Sequence, residues 1–345
     1  AAGTCVSGLA ASAYASPTET TACETFADVE LCGPILAKYQ ELGGPEGGLG
    51  NPIAPPEASN ARAASDATRV EFTGGGGIYS SAIGGAHYLG EAMFAKYAEL
   101  DYEESDIGVP VSDEIDNDGE SAATYGSRRA DFSNGALYLK DGQVGVGVWS
   151  TYVSPATPAL PRATPLPPGS QPETCPANTS AYQAPNDIYD CLSVDTQIDG
   201  YPAGVRRGVP DPTPGEVLGS GPLTESGFGL AHADVDHNVG YRAIRLLLIR
   251  DDLRPELENP VNLRYRQTLA FQFNDVITES LTAIVQRADD EFDRAPDEFD
   301  IGLITAFCAD GSDPVKFPGT PHVGGRCPND LPSPFGKDTG GSFRP

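Results

Sequence analysis

The sequence predicts an α+β chain of several domains. An N-terminal repeat region of short helices and β-hairpins precedes a mainly α C-terminal region with two antiparallel core helices and disulfide braces. Three observations predict this. A block recurs with an offset of 58 residues between positions 34 and 152, a Pro-, Ala- and Thr-rich stretch follows at 153–174, and two later segments carry apolar residues at helical spacing. With 345 residues the chain is long enough to bury more than one core.

Composition narrows the function classes. Asp and Glu number 49 against 22 Lys and Arg, a formal net charge of −27, so a nucleic-acid backbone is a poor partner. No apolar run is long enough to span a bilayer. Gly 40 and Pro 31 make the chain loop-rich, yet 39% hydrophobic residues keep it globular. The seven cysteines pair by proximity as Cys23–Cys32, Cys175–Cys191 and Cys308–Cys327, leaving Cys5 over. No Cys-x-x-Cys pair is present, which argues against a zinc ribbon or thioredoxin chemistry. Locally paired cysteines, with a start at Ala1-Ala2-Gly3-Thr4 that reads as an end left by signal peptidase, predict a secreted protein.

The elements follow in order. Residues 1–33 are an N-terminal extension, and two repeat units occupy 34–92 and 93–152. Tyr39 and Tyr97, Leu42 and Leu100, Gly50 and Gly108, and Pro52 and Pro110 are each 58 apart. Each unit reads as a short helix, a Gly/Pro turn and a hairpin whose aromatic positions face inward. Asp116-Asn-Asp-Gly-Glu120 lacks the closing spacing of a calcium loop and reads as a solvated turn. The 153–174 stretch reads as an extended linker. The sequon Asn178-Thr-Ser180 carries little weight. Residues 175–345 form the last domain, with one helix predicted over 233–253 and a second over 261–292. Leu269, Phe273, Val276, Ile277, Leu281 and Ile284 make the stripe of the second, and Pro255 and Pro260 mark the connection.

Lys38-Tyr39-x-x-Leu42-Gly43-Gly44, Gly48-Leu49-Gly50-x-Pro52 and Ile78-Tyr79…Gly85-Ala86-His87 in the first unit resemble the LGFP repeat of actinobacterial cell-wall proteins. The second unit departs from the pattern: Asp101-Tyr102 replaces the glycine pair, and Gly145-Val146-Gly147 replaces Gly-Ala-His. The resemblance implies attachment to cell-wall polysaccharide. Tyr79, His87 and Trp149 are the candidate glycan contacts, with fold-forming roles the favoured reading for His87 and Trp149.

His237-Asn238-Val239-Gly240-Tyr241-Arg242 resembles the active-site helix of secreted bacterial and fungal phospholipases A2, and Gly219-Ser-Gly-Pro-Leu223 resembles their calcium loop. The resemblance implies His237 as general base. It also implies a calcium ion held by Asn238 and the carbonyls of Gly219, Gly221 and Leu223. Asn238 stands where the family has an aspartate, so calcium binding is weak or vestigial. The acid that should orient His237 falls at Ala270 or Thr268, neither a carboxylate. Loss of such a group costs on the order of 10⁴ in the serine-protease analogue.

The run His232-x-Asp-x-Asp-His237 also raises a metal reading. On one continuous helix, residues five apart point about 140° away from each other, unlike the i, i+4 histidines of zinc proteases. Asp234 and Asp236 then read as favourable charges near a helix N-terminus. Together these features favour a secreted envelope protein that binds or assembles rather than catalyses. Its partners would be wall polysaccharide and an envelope lipid or protein, and self-assembly stays open. The alternative is an active calcium-dependent phospholipase A2 or lipid esterase using His237.

Overall fold

The computed structural model describes residues 22–59, 66–119, 122–151, 174–175, 186–211, 227–259, 263–287, 302–310 and 325–327, with Leu331 and Phe335. The 153–173 part of the proposed linker, the sequon, the glycine-rich loop at 219–223 and Cys5 lie outside them. The described residues are mostly β, 43% strand against 21% helix, which overturns the expected mainly α C-terminal region.

Strands β1 (Cys23–Phe26) and β2 (Val29–Cys32) form a hairpin closed by the Cys23–Cys32 disulfide. Its turn residues Ala27 and Asp28 have φ of 47° and 68°, the left-handed pair that matches strand twist. Helix α1 (Gly33–Glu41) follows, with Pro34 in its first turn and Ile35, Leu36 and Tyr39 buried. Strands β3 (Glu57–Ala58), β4 (Thr68–Glu71), β5 (Gly77–Ser81) and β6 (Gly85–Leu89) make an antiparallel sheet in chain order.

The second unit repeats this plan with α2 (Glu91–Glu99), β7 (Ile115–Asp116), α3 (Ala122–Tyr125), β8 (Arg128–Phe132), β9 (Gly135–Lys140) and β10 (Gln143–Thr151). Tyr39 donates to the Gly50 carbonyl at 2.6 Å, and Tyr97 donates to that of Gly108 at 2.9 Å. Pro52 bridges Phe72 as Pro110 bridges Phe132. Gly50 and Gly108 sit at φ 67° and 78°, and a Cβ on either would strike a hydroxyl of Thr73 or Ser133 at 2.4 or 2.1 Å. Those hydroxyls accept from the amides of Asn51 and Val109. The sequence period is therefore a structural period, down to the turn that each glycine permits.

The C-terminal region contributes the hairpin β11 (Cys191–Thr196) and β12 (Pro202–Arg206), helices α4 (Gly229–Val235) and α5 (Tyr241–Ile249), and strands β13 (Glu256–Asn259), β14 (Arg264–Phe273), β15 (Val276–Gln286) and β16 (Gly302–Asp310). The segment expected as the second helix is the β14–β15 hairpin. Asn274 and Asp275, at φ 47° and 66°, turn the chain so that Phe273 pairs with Val276. Ala270 and Thr268, read as the place of an orienting acid, are thus strand residues: Ala270 is fully buried opposite Ser280, and Thr268 shares a hydroxyl hydrogen bond with Thr282 at 2.9 Å. The first expected helix is broken, because Asn238 takes φ 59° between α4 and α5.

One sheet joins the halves, in the order β16-β15-β14-β10-β9-β8-β7, with β13 also on β14. Trp149 pairs with Phe271 across the β10–β14 seam. Ile244, Leu247 and Leu248 of α5 pack with Leu269, Phe271, Leu281 and Val285, in the same core as Tyr138 and Trp149 from the second repeat. The Cys175–Cys191 and Cys308–Cys327 disulfides are both formed.

Candidate functional site

Three places gather chemistry. The first is the junction of the repeats. Lys38 from α1 reaches Asp113 at 3.0 Å, His87 Nδ1 from β6 lies 3.3 Å from the same carboxylate, and the Tyr88 amide donates to it at 2.9 Å. His87 Nε2 donates to the Gly84 carbonyl at 2.6 Å. Burial pushes the Asp113 carboxyl up, but the Tyr88 amide and the Lys38 ammonium together outweigh it and hold the pKa below its ordinary value. Two signature residues of the repeat, the lysine and the histidine, therefore clasp the next unit.

The other candidate glycan contacts are interior. Tyr79 is 1% exposed and its hydroxyl donates to Glu103 at 3.0 Å. Burial, then the Glu103 carboxylate, drives its pKa upward. Trp149 is also 1% exposed, wedged between Phe271 and Phe335 with centroids 5.0 Å from each. Neither ring offers a face to a sugar.

The second place is a cleft of about 430 Å³ between the disulfide hairpin, α1 and the first sheet. Glu30, Asp66, Thr68 and Ser80 line it along with Pro34 and Ile35. Carboxylates and hydroxyls beside short apolar walls are groups that hydrogen-bond to a sugar and cover its ring faces. No sequence signal marks these residues, since scattered strand hydroxyls look alike wherever they lie.

The third place is the turn between α4 and α5. Gly229, at φ 74°, opens α4 where a Cβ would press on the Arg206 and Gly208 backbone at 2.9 Å. His232 is buried on that helix. The break at Asn238 folds the chain back, so His237 Nε2 comes within 3.2 Å of His232 Nε2, with the rings edge-to-face at 4.7 Å. The expectation that the imidazoles point apart fails because the helix it assumed does not continue. His232 Nδ1 lies 3.1 Å from Asp236 and 3.3 Å from Asp211. His237 Nδ1 donates to the Gly325 carbonyl at 3.1 Å. Burial, then the neighbouring His232, lowers the His237 pKa.

The group at His237 Nδ1 is a peptide carbonyl, not a carboxylate, so the phospholipase-type dyad is not assembled here. Asn238 is 3% exposed and its amide donates to the Cys327 carbonyl at 2.9 Å, tying the tail to this turn. Gly219, Gly221 and Leu223 lie outside the described residues.

Residues 49–105 match the LGFP repeat. The matched segment opens at the Leu49-Gly50-Asn51-Pro52 turn, crosses the β3–β6 sheet and ends past α2, well under half of the chain. LGFP repeats are associated with cell-wall-bound proteins. No curated protein matches the chain. Among the described residues, no helix is long and apolar enough to cross a membrane.

Proposed function

We propose that the chain is a secreted envelope protein whose repeats attach it to wall polysaccharide, with sugar taken up in the cleft between α1 and the first sheet. The observation that carries this reading is the LGFP match over residues 49–105. The cleft supports it chemically, since Asp66, Thr68 and Ser80 supply carboxylate and hydroxyl groups at one surface. Three disulfides suit an oxidising compartment. The C-terminal region then presents a rigid surface to a further envelope component.

The test is cosedimentation of the full chain with purified, protein-free wall polysaccharide. The intact chain is expected in the pellet, and Asp66→Ala with Ser80→Ala should lower retention about tenfold, the loss of roughly 1.4 kcal/mol of sugar contacts. Intact chain left in the supernatant would sink the reading. Binding unchanged in the double variant would move the site out of the cleft.

A further inference from the structure

We propose that His232 and His237 form a binding site for a borderline divalent metal ion, of which Zn²⁺ is the natural representative. A neutral imidazole has one N–H and one lone pair. His232 Nδ1 faces two carboxylates, Asp236 at 3.1 Å and Asp211 at 3.3 Å, and His237 Nδ1 faces the Gly325 carbonyl at 3.1 Å. These are acceptors, so when both rings are neutral each Nδ1 carries its ring's proton. Both Nε2 atoms are then left with lone pairs, and they face each other across 3.2 Å.

Two opposed lone pairs repel unless a proton or a metal ion lies between them, and the spacing matches the metal. Ligand nitrogens about 2.0–2.1 Å from a tetrahedral ion stand about 3.3 Å apart, which is the spacing found. The outer contacts complete the pattern. Metal-bound histidines commonly donate the other ring N–H to a carboxylate or a backbone carbonyl, and here one ring does each. Asp236 and Asp211 are engaged as acceptors, from the Asp211 amide at 2.8 Å and the Gly227 amide at 2.6 Å, which suits them to orienting His232 rather than to ligation. Nitrogen donors select against calcium and magnesium, which take oxygen.

The site is held from three directions. Gly229 sets the start of α4, Asn238 sets the turn, and the segment Gly325–Cys327 is fixed by the Cys308–Cys327 disulfide and by the Cys327 amide on the His237 carbonyl at 2.8 Å. Gly325 has no room for a side chain without crowding, since its Cβ would lie 3.1 Å from His237 Nδ1. Two nitrogens come from the protein, and the remaining positions fall to water or to an incoming ligand.

The experiment is calorimetric titration of the EDTA-stripped full chain with zinc chloride, beside ¹⁵N-detected NMR of the histidine rings. One equivalent of zinc is expected to bind. Both Nε2 signals should shift while both Nδ1 atoms stay protonated. Binding should be lost in His232→Gln and His237→Gln and weakened about 10- to 100-fold in Asp236→Asn. Absence of binding at millimolar zinc overturns the proposal, as does zinc that the glutamine variants retain. Spectra showing a proton shared between the Nε2 atoms in the presence of zinc also overturn it. The NMR measurement uses the unaltered chain, so it decides the matter even if a variant misfolds.

Discussion

At the scale of single residues, one carboxylate can organise several neighbours. Asp113 shows how. It draws Lys38, His87 and the Tyr88 amide from the first unit onto a carboxylate of the second. Asp113→Asn keeps an acceptor but removes the charge, so a loss of about 1 kcal/mol in stability is expected at neutral pH. The folded carboxyl titrates below its ordinary 3.8. Its contribution is therefore present above the unfolded value and disappears as pH falls through the lower folded one. Urea unfolding of the parent and the variant at pH 7 and at successively lower pH should show the gap shrink once the pH is below 3.8; a gap that stays constant as the pH falls would mean the carboxylate is not its source. The histidine pair taught the opposite lesson. Its residue types raise a metal reading that helix geometry argues against, and the pairing depends on one backbone angle, at Asn238. Asparagine tolerates that region and the next residue but one is Gly240, so the clue was present though faint.

At the scale of elements, the repeat was legible and the C-terminal hairpin was not. A 58-residue offset survives as paired turns, bridges and tyrosine bonds because each copy uses the same glycine to solve the same crowding. The 261–292 segment misled because β15 is buried along most of both faces, and a strand covered on two sides loses its alternation. Leu269, Phe273, Val276 and Ile277 then satisfy a helical template equally well. The Asn274-Asp275 pair and the β-branched residues around it were the better guide.

The departure of the second copy from the repeat pattern also has a physical reason. Its last strand meets β14 instead of another repeat unit, and Gly145 and Gly147 leave room for aromatic rings. A Cβ at Gly147 would fall 2.2 Å from the Phe271 ring, and one at Gly145 would fall 2.3 Å from that of Phe273. Phe271 is fully buried against Trp149 and Tyr125. Gly147→Ala is therefore expected to cost about 1–3 kcal/mol by overpacking. Thermal unfolding checks this, and the paired change Gly147→Ala with Phe271→Leu should lose less than the two single changes added. Full additivity would show that ring and strand are not in conflict.

At the scale of the whole molecule, the β10–β14 seam places the second repeat and the C-terminal region in one sheet and one core, which predicts that they unfold together. Five residue pairs from Gly147↔Phe273 to Thr151↔Leu269 join them, and Tyr125, Tyr138 and Trp149 share a core with α5, β14, β15 and β16. Further ties fasten the β11–β12 side to the sheet. Arg287 lies between the Tyr201 and Tyr265 rings at 4.2 and 4.0 Å while donating to Gln197 and Asp199. Among the described residues, the hydrogen-bonded ladder runs without interruption from β7 of the second repeat to β16 of the C-terminal region. A fragment ending at Thr151 would leave β10 an unpaired edge and strip the cover from the single tryptophan. The full chain is expected to give coincident unfolding curves by Trp149 fluorescence and by far-ultraviolet circular dichroism across this unit. The fragment should show red-shifted Trp149 emission and a lowered unfolding midpoint or aggregation. A fragment whose Trp149 stays buried, with the parent's midpoint, would mean that the seam is contact without coupling and that the repeats fold alone.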